Sequence, residues 1–562
     1  MRSRIANLWR WVLQRVPEAL LLVFVLSLAP LVALAVLEVY GQGMRFLASP
    51  AGYYEATRHD PWPALATAAA FLGTGVAAFI LWRNWLHVWA VARKMILEAL
   101  HRKIVLVLLI FFVVLTASLP FLKTEGSIKS RVQLVMSYSL VLAMVLLSLV
   151  AIFLSVASIC SEIEHKQVHV TDTKPLRRWQ FLLGKWFGVV VLCSAVLFVM
   201  AGASYGLVVA LARPPDEARM DPRDAAKARQ DYASLMEEVL VARRTVRSLV
   251  PPGIEEAVQE RVKELEAQGK YPWEPGIRSR VRKGLADAEL AARTAVPPGG
   301  MQVWKFEGLR PGREGQCFVR FKAYGSTFEG SVAGRWIVLQ QQRVEASRGE
   351  SQYPLVPVAV VVPPPTGWQT EVRREFTIPT RFVQPEGTLF LAFENLDQRA
   401  TLTFDPEVRV EVMQKEQAFL PNYYRAVVVL LCHIALLAAL GLMAGSLFSF
   451  PVAAFTVVFI FIVGLVGVWF ASFLEPHALE EMNYTLTQQV LRMVWRGFVG
   501  GLLALMPHFG KYNPLGDLTD GKMVTWASVA YAWAVMVCIK GGLALLVGMF
   551  VYARRELARV IV

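Results

Sequence analysis

Residues 160–188 read CSEIEHKQVHVTDTKPLRRWQFLLGKWFG, and the organisation of the chain follows from this stretch. It is a charged bridge between two long uncharged runs, Val132–Cys160 and Trp186–Ala212. Each run exceeds the roughly 20 apolar residues needed to cross a hydrocarbon layer about 30 Å thick. The bridge carries Lys166, Lys174, Arg177, Arg178 and Lys185. Cytoplasmic segments are enriched in Lys and Arg, so the bridge is expected inside the cell. In order it presents the carboxylates Glu162 and Glu164, then His165, a polar turn and a Lys174-Pro175 step. A short amphipathic helix follows, carrying Arg178 and ending in Leu182-Leu183-Gly184-Lys185.

Of the 562 residues, 55% are apolar and 18% charged, and the apolar ones come in blocks. That distribution indicates a polytopic membrane protein rather than a string of soluble domains. The net charge of +14 does not call for a nucleic-acid partner. Most of the decisive cations flank spans, where orientation and contact with anionic lipid account for them. Cys160, Cys193, Cys432 and Cys538 lie in or at the ends of spans, and Cys317 stands alone in a polar segment. Such a set provides neither a disulfide framework nor a zinc spacing.

Taken in order, residues 1–84 form a two-span extension, with Ala19–Leu37 as an uncleaved anchor and Pro63–Trp82 returning inward. Residues 85–103 predict an amphipathic helix. Trp85, Val88, Trp89, Ala92, Met95, Ile96 and Ala99 share one stripe, with Arg93 and Lys94 off it. Two Trp on the apolar edge and cations opposite suit the membrane interface. Residues 104–212 hold three spans, Ile104–Leu122 and the two runs above, joined by the bridge 161–185. Residues 416–562 hold three more. The uncharged stretch Ala426–Leu474 makes a hairpin turning at Ser449 and Pro451, and Val524–Ala553 is the last span. Between these, 475–525 lies outside and includes Gly497–Met506, too short to span and readable as a re-entrant or interfacial helix.

Residues 213–423 contain no spanning segment and are expected to be extracytoplasmic. A heptad-like seam through Tyr232, Leu235, Val239, Ala242, Val246 and Leu249 predicts one helix. Two more follow, through Ile254–Leu265 and Ile277–Leu285, as a helical hairpin or an arm for a second protomer. Over 300–415 the period changes to two. Strands are expected at Val303–Phe306, Cys317–Lys322, Trp336–Leu339, Glu371–Ile378, Thr388–Phe393, Thr401–Phe404 and Val408–Val412. The fold class is therefore an α-helical polytopic membrane protein of about eight spans. Its extracytoplasmic α+β domain joins a helical region, 213–299, to an antiparallel, jelly-roll-like β-sandwich. Trp304, Trp336 and Trp368 are either core residues or platforms for sugar rings.

Two ionisable residues fall within spans, His433 and Lys540. At that depth they should face protein or water, as interhelical contacts or as part of a permeation path. The sequence has no phosphate-binding loop of the Gly-x-x-x-x-Gly-Lys-Ser/Thr type, so ATP hydrolysis would need another polypeptide. His165 and His169 have helical metal-ligand spacing, but a third ligand is missing and no metal site is assigned.

The series in the bridge resembles the loop between the second and third spans of type-2 ABC exporter permeases. In those, an acidic pair, a turn, a Lys-Pro step, an Arg and a Gly-Lys follow one another. Gln167-Val168-His169 departs from the usual Gly-Thr turn. The 85–103 helix is similar to the "elbow" with which such permeases begin. Pro507-His508-Phe509-Gly510 with Asp517-Leu518 resembles a stretch before their last span. The chain resembles bacterial permeases often grouped with copper-enzyme-maturation and gliding-type systems, here with a large outer insertion. The resemblance implies an exporter permease without an ATPase site of its own, in the bacterial inner membrane. It implies a cytoplasmic ATPase subunit that uses ATP and docks on 161–185 and the elbow. A homodimer or heterodimer of permeases would form the path. Two other readings stay open: a membrane-anchored glycan receptor, and an ion-coupled transporter using Lys540.

Overall fold

The computed structural model describes residues 85–101, 104–122, 127–164, 177–214, 221–249, 253–267, 275–312, 315–326, 331–341, 344–345, 351–352, 355–361, 368–405, 409–474 and 513–554. The expectations for 1–84, for 165–176 and for 475–512 lie outside these residues. The described residues divide into a helical unit and a strand-rich unit. The chain passes from the first to the second at Leu240–Val241 and back at Gln417–Ala418.

The helical unit contains α1 (Trp85–His101), α2 (Ile104–Ser118), α3 (Ile128–Glu164), α4 (Arg178–Leu211) and α5 (Pro222–Ser234). The strand-rich unit contributes α6 (Ile254–Ala267) and α7 (Pro275–Thr294). Back in the helical unit come α8 (Phe419–Leu447), α9 (Phe450–Leu474), α10 (Pro514–Thr519) and α11 (Trp526–Arg554). Among the described residues, α3, α4, α8 and α11 are the helices long and apolar enough to cross a membrane. That supports a membrane protein.

The central helix is α8, whose residues from Ala426 to Leu442 are all buried. Its Gly441 and Gly445 sit against α3 so closely that a Cβ on Gly441 would lie 2.8 Å from the Ser155 Cβ. Small residues one turn apart allow this approach, and in lipid such contact replaces the hydrophobic drive. The outward faces of α2 and α9 are apolar, with Ile110, Phe111, Phe455 and Phe459 exposed. The break between α8 and α9 falls at Phe448–Ser449, where the sequence places its turn.

Three expectations need correction. The amphipathic helix after Pro175 is not separate from the following span: α4 is unbroken from Arg178 to Leu211. Glu162 and Glu164 likewise belong to the last turn of α3 rather than to a loop. Nothing between Arg178 and Trp186 breaks a helix, and burial of Phe181, Leu182 and Lys185 carries it through. The heptad-like seam fails too. After α5 the chain makes one π-helical turn, Leu235–Val239, and continues as β1 (Val241–Arg247). Ala242 and Val246 fit a helical spacing by coincidence, and pairing within a sheet overrides it.

The strand-rich unit continues with β2 (Met301–Phe306), β3 (Gln316–Phe321), β4 (Ala323–Gly325), β5 (Ser331–Val332), β6 (Gly334–Gln341), β7 (Val344–Glu345) and β8 (Ser351–Gln352). Then come β9 (Leu355–Val361), β10 (Trp368–Gln369), β11 (Arg374–Pro379), β12 (Leu389–Asn395), β13 (Leu402–Phe404) and β14 (Glu411–Ala418). Two four-stranded sheets result, ordered β1-β14-β3-β11 and β2-β12-β6-β9. The β3–β11, β12–β2, β12–β6 and β6–β9 pairs are antiparallel. Both sheets feed one core, which includes Val319, Phe321 and Val412 from the first and Phe306, Trp336 and Phe393 from the second.

Trp304, Trp336 and Trp368 are all buried in that core, so none is a platform for sugar. Gly334 has to be glycine, because a Cβ there would lie 2.2 Å from the Phe393 ring. The strand expected at Val408–Val412 starts later, at Glu411. Arg409 turns the chain with φ 53°, a conformation no strand accepts. The two helices before the strands do pair: Ile254 and Val258 of α6 pack with Leu290 of α7.

Candidate functional site

Glu162 lies in the last turn of α3, four residues beyond Ser158, so both point from one face of that helix. Lys185 lies two turns into α4. Its Nζ sits 3.0 Å from Glu162 Oε2, donates to the Ser158 carbonyl, and lies 4.7 Å from the centre of the Phe181 ring. The ion pair is largely enclosed, with the Lys185 side chain 5% and the Glu162 side chain 12% exposed. Lys94 of α1 approaches Glu162 from the solvent side at 3.9 Å. An enclosed pair of this kind is costly to break from one side, because the surviving charge loses both water and partner.

Glycine brings α1 to this place. A Cβ on Gly184 would lie 2.7 Å from the Val88 carbonyl, and one on Gly188 would lie 2.9 Å from the Ala92 carbonyl. The two glycines, one turn apart, let α1 cross α4 backbone to backbone. Trp85 and Trp89 stack at 5.9 Å and both meet the edge of Phe187, at 5.4 and 6.4 Å. The Trp pair is thus half-buried against α4. At the start of α4, Arg178 Nη1 donates to the Ala553 carbonyl at 2.7 Å, and Phe181 stacks on Tyr552 at 6.0 Å. The ends of α1, α3, α4 and α11 meet here.

The structure therefore brings together Trp85, Trp89, Lys94, Glu162, Gly184 and Lys185, with Arg178 alongside. Glu164 is exposed beyond them, and Arg93 is half-buried on α1. His165, Lys174 and Pro175 lie outside the described residues. Within the spans, His433 is buried in α8 and its Nδ1 is 2.8 Å from the Val429 carbonyl of its own helix. Lys540 is half-buried on a π-helical stretch of α11, Ala534–Gly541.

A second polar cluster stands at the opposite end of α3. Gln133 donates to the Thr519 carbonyl at 2.9 Å, and Lys129 pairs with Glu238. Asn422 of α8 donates to the Lys522 carbonyl at 2.8 Å and accepts from the Val524 amide at 2.7 Å. Arg425, buried, donates to the Val524 carbonyl at 3.0 Å and lies over Trp526 at 5.1 Å. Asn513 caps α10 by accepting from the Leu515 amide at 3.0 Å. Sequence reading overlooked these residues. The available signal was Arg425, a cation set against the uncharged run that begins at Ala426.

Residues 89–216 match the family described as ABC-2 family transporter protein. The matched stretch runs from Trp89 through α4, so it covers most of α1 together with Lys94, Glu162, Gly184 and Lys185, while Trp85 lies just before it. This similarity supports an ABC-2 permease, the membrane component of a transporter. No curated protein and no solved structure matches the chain. The ABC-2-like stretch ends before the strand-rich unit, which must be read from its own chemistry.

Proposed function

We propose that this chain is the permease subunit of an ABC-type exporter, driven by a separate cytoplasmic ATPase subunit. The observation that carries the proposal is the enclosed Glu162–Lys185 pair inside a stretch similar to ABC-2 transporters. It ties the ends of α3 and α4 on either side of segment 165–176, which is the docking surface for the ATPase together with α1. A push on that segment reaches both spans through one ion pair, and Lys94 extends the contact to α1. The permease functions as a homodimer or heterodimer in the bacterial inner membrane. The strand-rich unit is a jelly-roll-like β-sandwich on the outer side, where it guides or binds what is extruded. Burial of its three tryptophans weighs against the glycan-receptor alternative.

Purification of the full chain from its native membrane tests this. The expected result is an ATPase in the same particle, whose turnover responds to the permease. Charge reversal at Glu162 together with Arg178 should leave the particle assembled and abolish that response. Full function in the absence of any nucleotide-hydrolysing partner overturns the proposal.

A further inference from the structure

The helix that carries Glu162 carries a second ion pair at its other end. Lys129, in the first turn of α3, pairs with Glu238, both side chains being about one-third exposed. From Lys129 to Glu162 the helix advances about 50 Å at 1.5 Å per residue, well beyond the roughly 30 Å of hydrocarbon. The two pairs therefore lie on opposite faces of the membrane. Between them α3 is one unbroken helix of 37 residues, buried along a stripe from Val132 through Ser139, Ala151 and Ser158 to Cys160.

Glu238 does not sit on ordinary helix. It belongs to the π-helical turn Leu235–Val239, a geometry that is rare and persists only where its surroundings hold it. Leu235 and Val239 hold it by being fully buried in the helical unit, and Lys129 holds the carboxylate between them. One residue later the chain becomes β1, a border strand of the β1-β14-β3-β11 sheet. Any displacement of the start of α3 therefore acts on the residues that feed the sheet.

We infer that α3 is a transmembrane push-rod, with Lys129–Glu238 as the joint through which a change at Glu162–Lys185 reaches the strand-rich unit. Lys129 and Glu238 are positioning residues. They hold the π-helical turn in register with α3 and touch no cargo. This inference rests on the proposed function for its purpose, but its test does not require an ATPase.

The test is amide hydrogen exchange of the full chain in lipid nanodiscs, comparing wild type with Glu162→Gln, Lys129→Met and the double variant. In Glu162→Gln, exchange over 235–247 should rise several-fold, although the substitution is about 50 Å away along the helix. Lys129→Met should produce the same rise directly, and adding Glu162→Gln to it should bring little more. Exchange over β12 should stay at its wild-type rate throughout, which shows that the unit remains folded. If Glu162→Gln does not fold, Lys185→Met replaces it as the variant that breaks the pair, and the swapped pair Glu162→Lys with Lys185→Glu, which keeps an ion pair there, should show no rise. Unchanged exchange over 235–247 in the inner variants, or additive effects in the double variant, overturns the inference. Absence of an ATPase partner with the exchange pattern present would instead overturn the proposed function alone.

Discussion

The two units are held together by different physics. The helical unit relies on small residues and on side chains that bond to backbone carbonyls. Gly184 and Gly188 bring α1 onto α4, Gly441 and Gly445 bring α8 onto α3, and Trp186, Gln133, Asn422, Arg425 and Tyr423 each donate to a carbonyl on a neighbouring segment. The strand-rich unit relies on area: Trp304, Phe321, Trp336, Phe393 and Phe404 touch ring to ring at 4.7–6.1 Å. Water supplies the force in the second case, since apolar area leaves it on folding. In lipid that force between helices is missing, so close backbone contact and satisfied polar groups take over. The lesson is that the strand-rich unit should be sensitive to a ring removed and the helical unit to a methyl group added.

The largest effect is expected from Trp336→Ala, which empties the centre of the aromatic cluster and should cost about 4 kcal/mol. Hydrogen exchange should quicken in β6 and β12 and stay slow in α8, and equal quickening in α8 would break the contrast between the units. Next comes Lys185→Met. Removal of one partner from an enclosed ion pair costs about 3 kcal/mol, whereas replacing both partners with apolar residues is close to neutral. Thermal unfolding in detergent should therefore show Lys185→Met well below wild type, and the Glu162→Met/Lys185→Met double variant near it.

A third effect depends on pH. Burial pushes the Cys317 thiol up from an ordinary 9.0 to about 11. The folded strand-rich unit thus keeps a proton that the unfolded chain gives up near pH 9. Its contribution is fully present below that point and is lost as pH rises towards 11. A shift of this size corresponds to roughly 2–3 kcal/mol. Cys317→Ser should flatten the fall in stability between pH 9 and 11, and an unchanged slope would assign the fall to other groups.

The smallest effect sharpens the contrast from the helical side. Gly184→Ala places a methyl 2.7 Å from the Val88 carbonyl, while Gly202→Ala meets nothing within 4 Å. Overpacking of this kind costs about 2 kcal/mol. Melting temperatures should fall for the first and hold for the second, and equal behaviour of the two would show that the α1–α4 crossing is slack.

How much was legible follows from the same contrast. Long uncharged runs announce apolar helices directly, so α3, α4, α8 and α11 were readable, although α4 begins at Arg178 and α8 at Phe419, ahead of the runs that start at Trp186 and Ala426. The change to a period of two over 300–415 exposed the edge strand β2 and the interior strands β3 and β6. Tyr232–Leu249 was not readable as it stands, because its apolar residues fit a helix and the partner strand β14 lies about 170 residues away. The sequence places Lys185 at the end of a short helix in the cytoplasmic bridge for a similar reason. Nothing local says that a lysine after Leu-Leu-Gly will be enclosed, since Glu162 reaches it from another helix. Likewise Gln133 and Asn422 reveal themselves only through carbonyls far along the chain.

Strand β9 stands at the border of its sheet, and LVPVAVV has no charged residue. Val358 and Val360 are about half exposed on it. A border strand without lysine invites edge-to-edge association, with Pro357 removing one of its amide donors. Concentrated preparations should therefore stick through this rim, whatever detergent shields the spans, and Val358→Lys is the substitution to keep them dispersed.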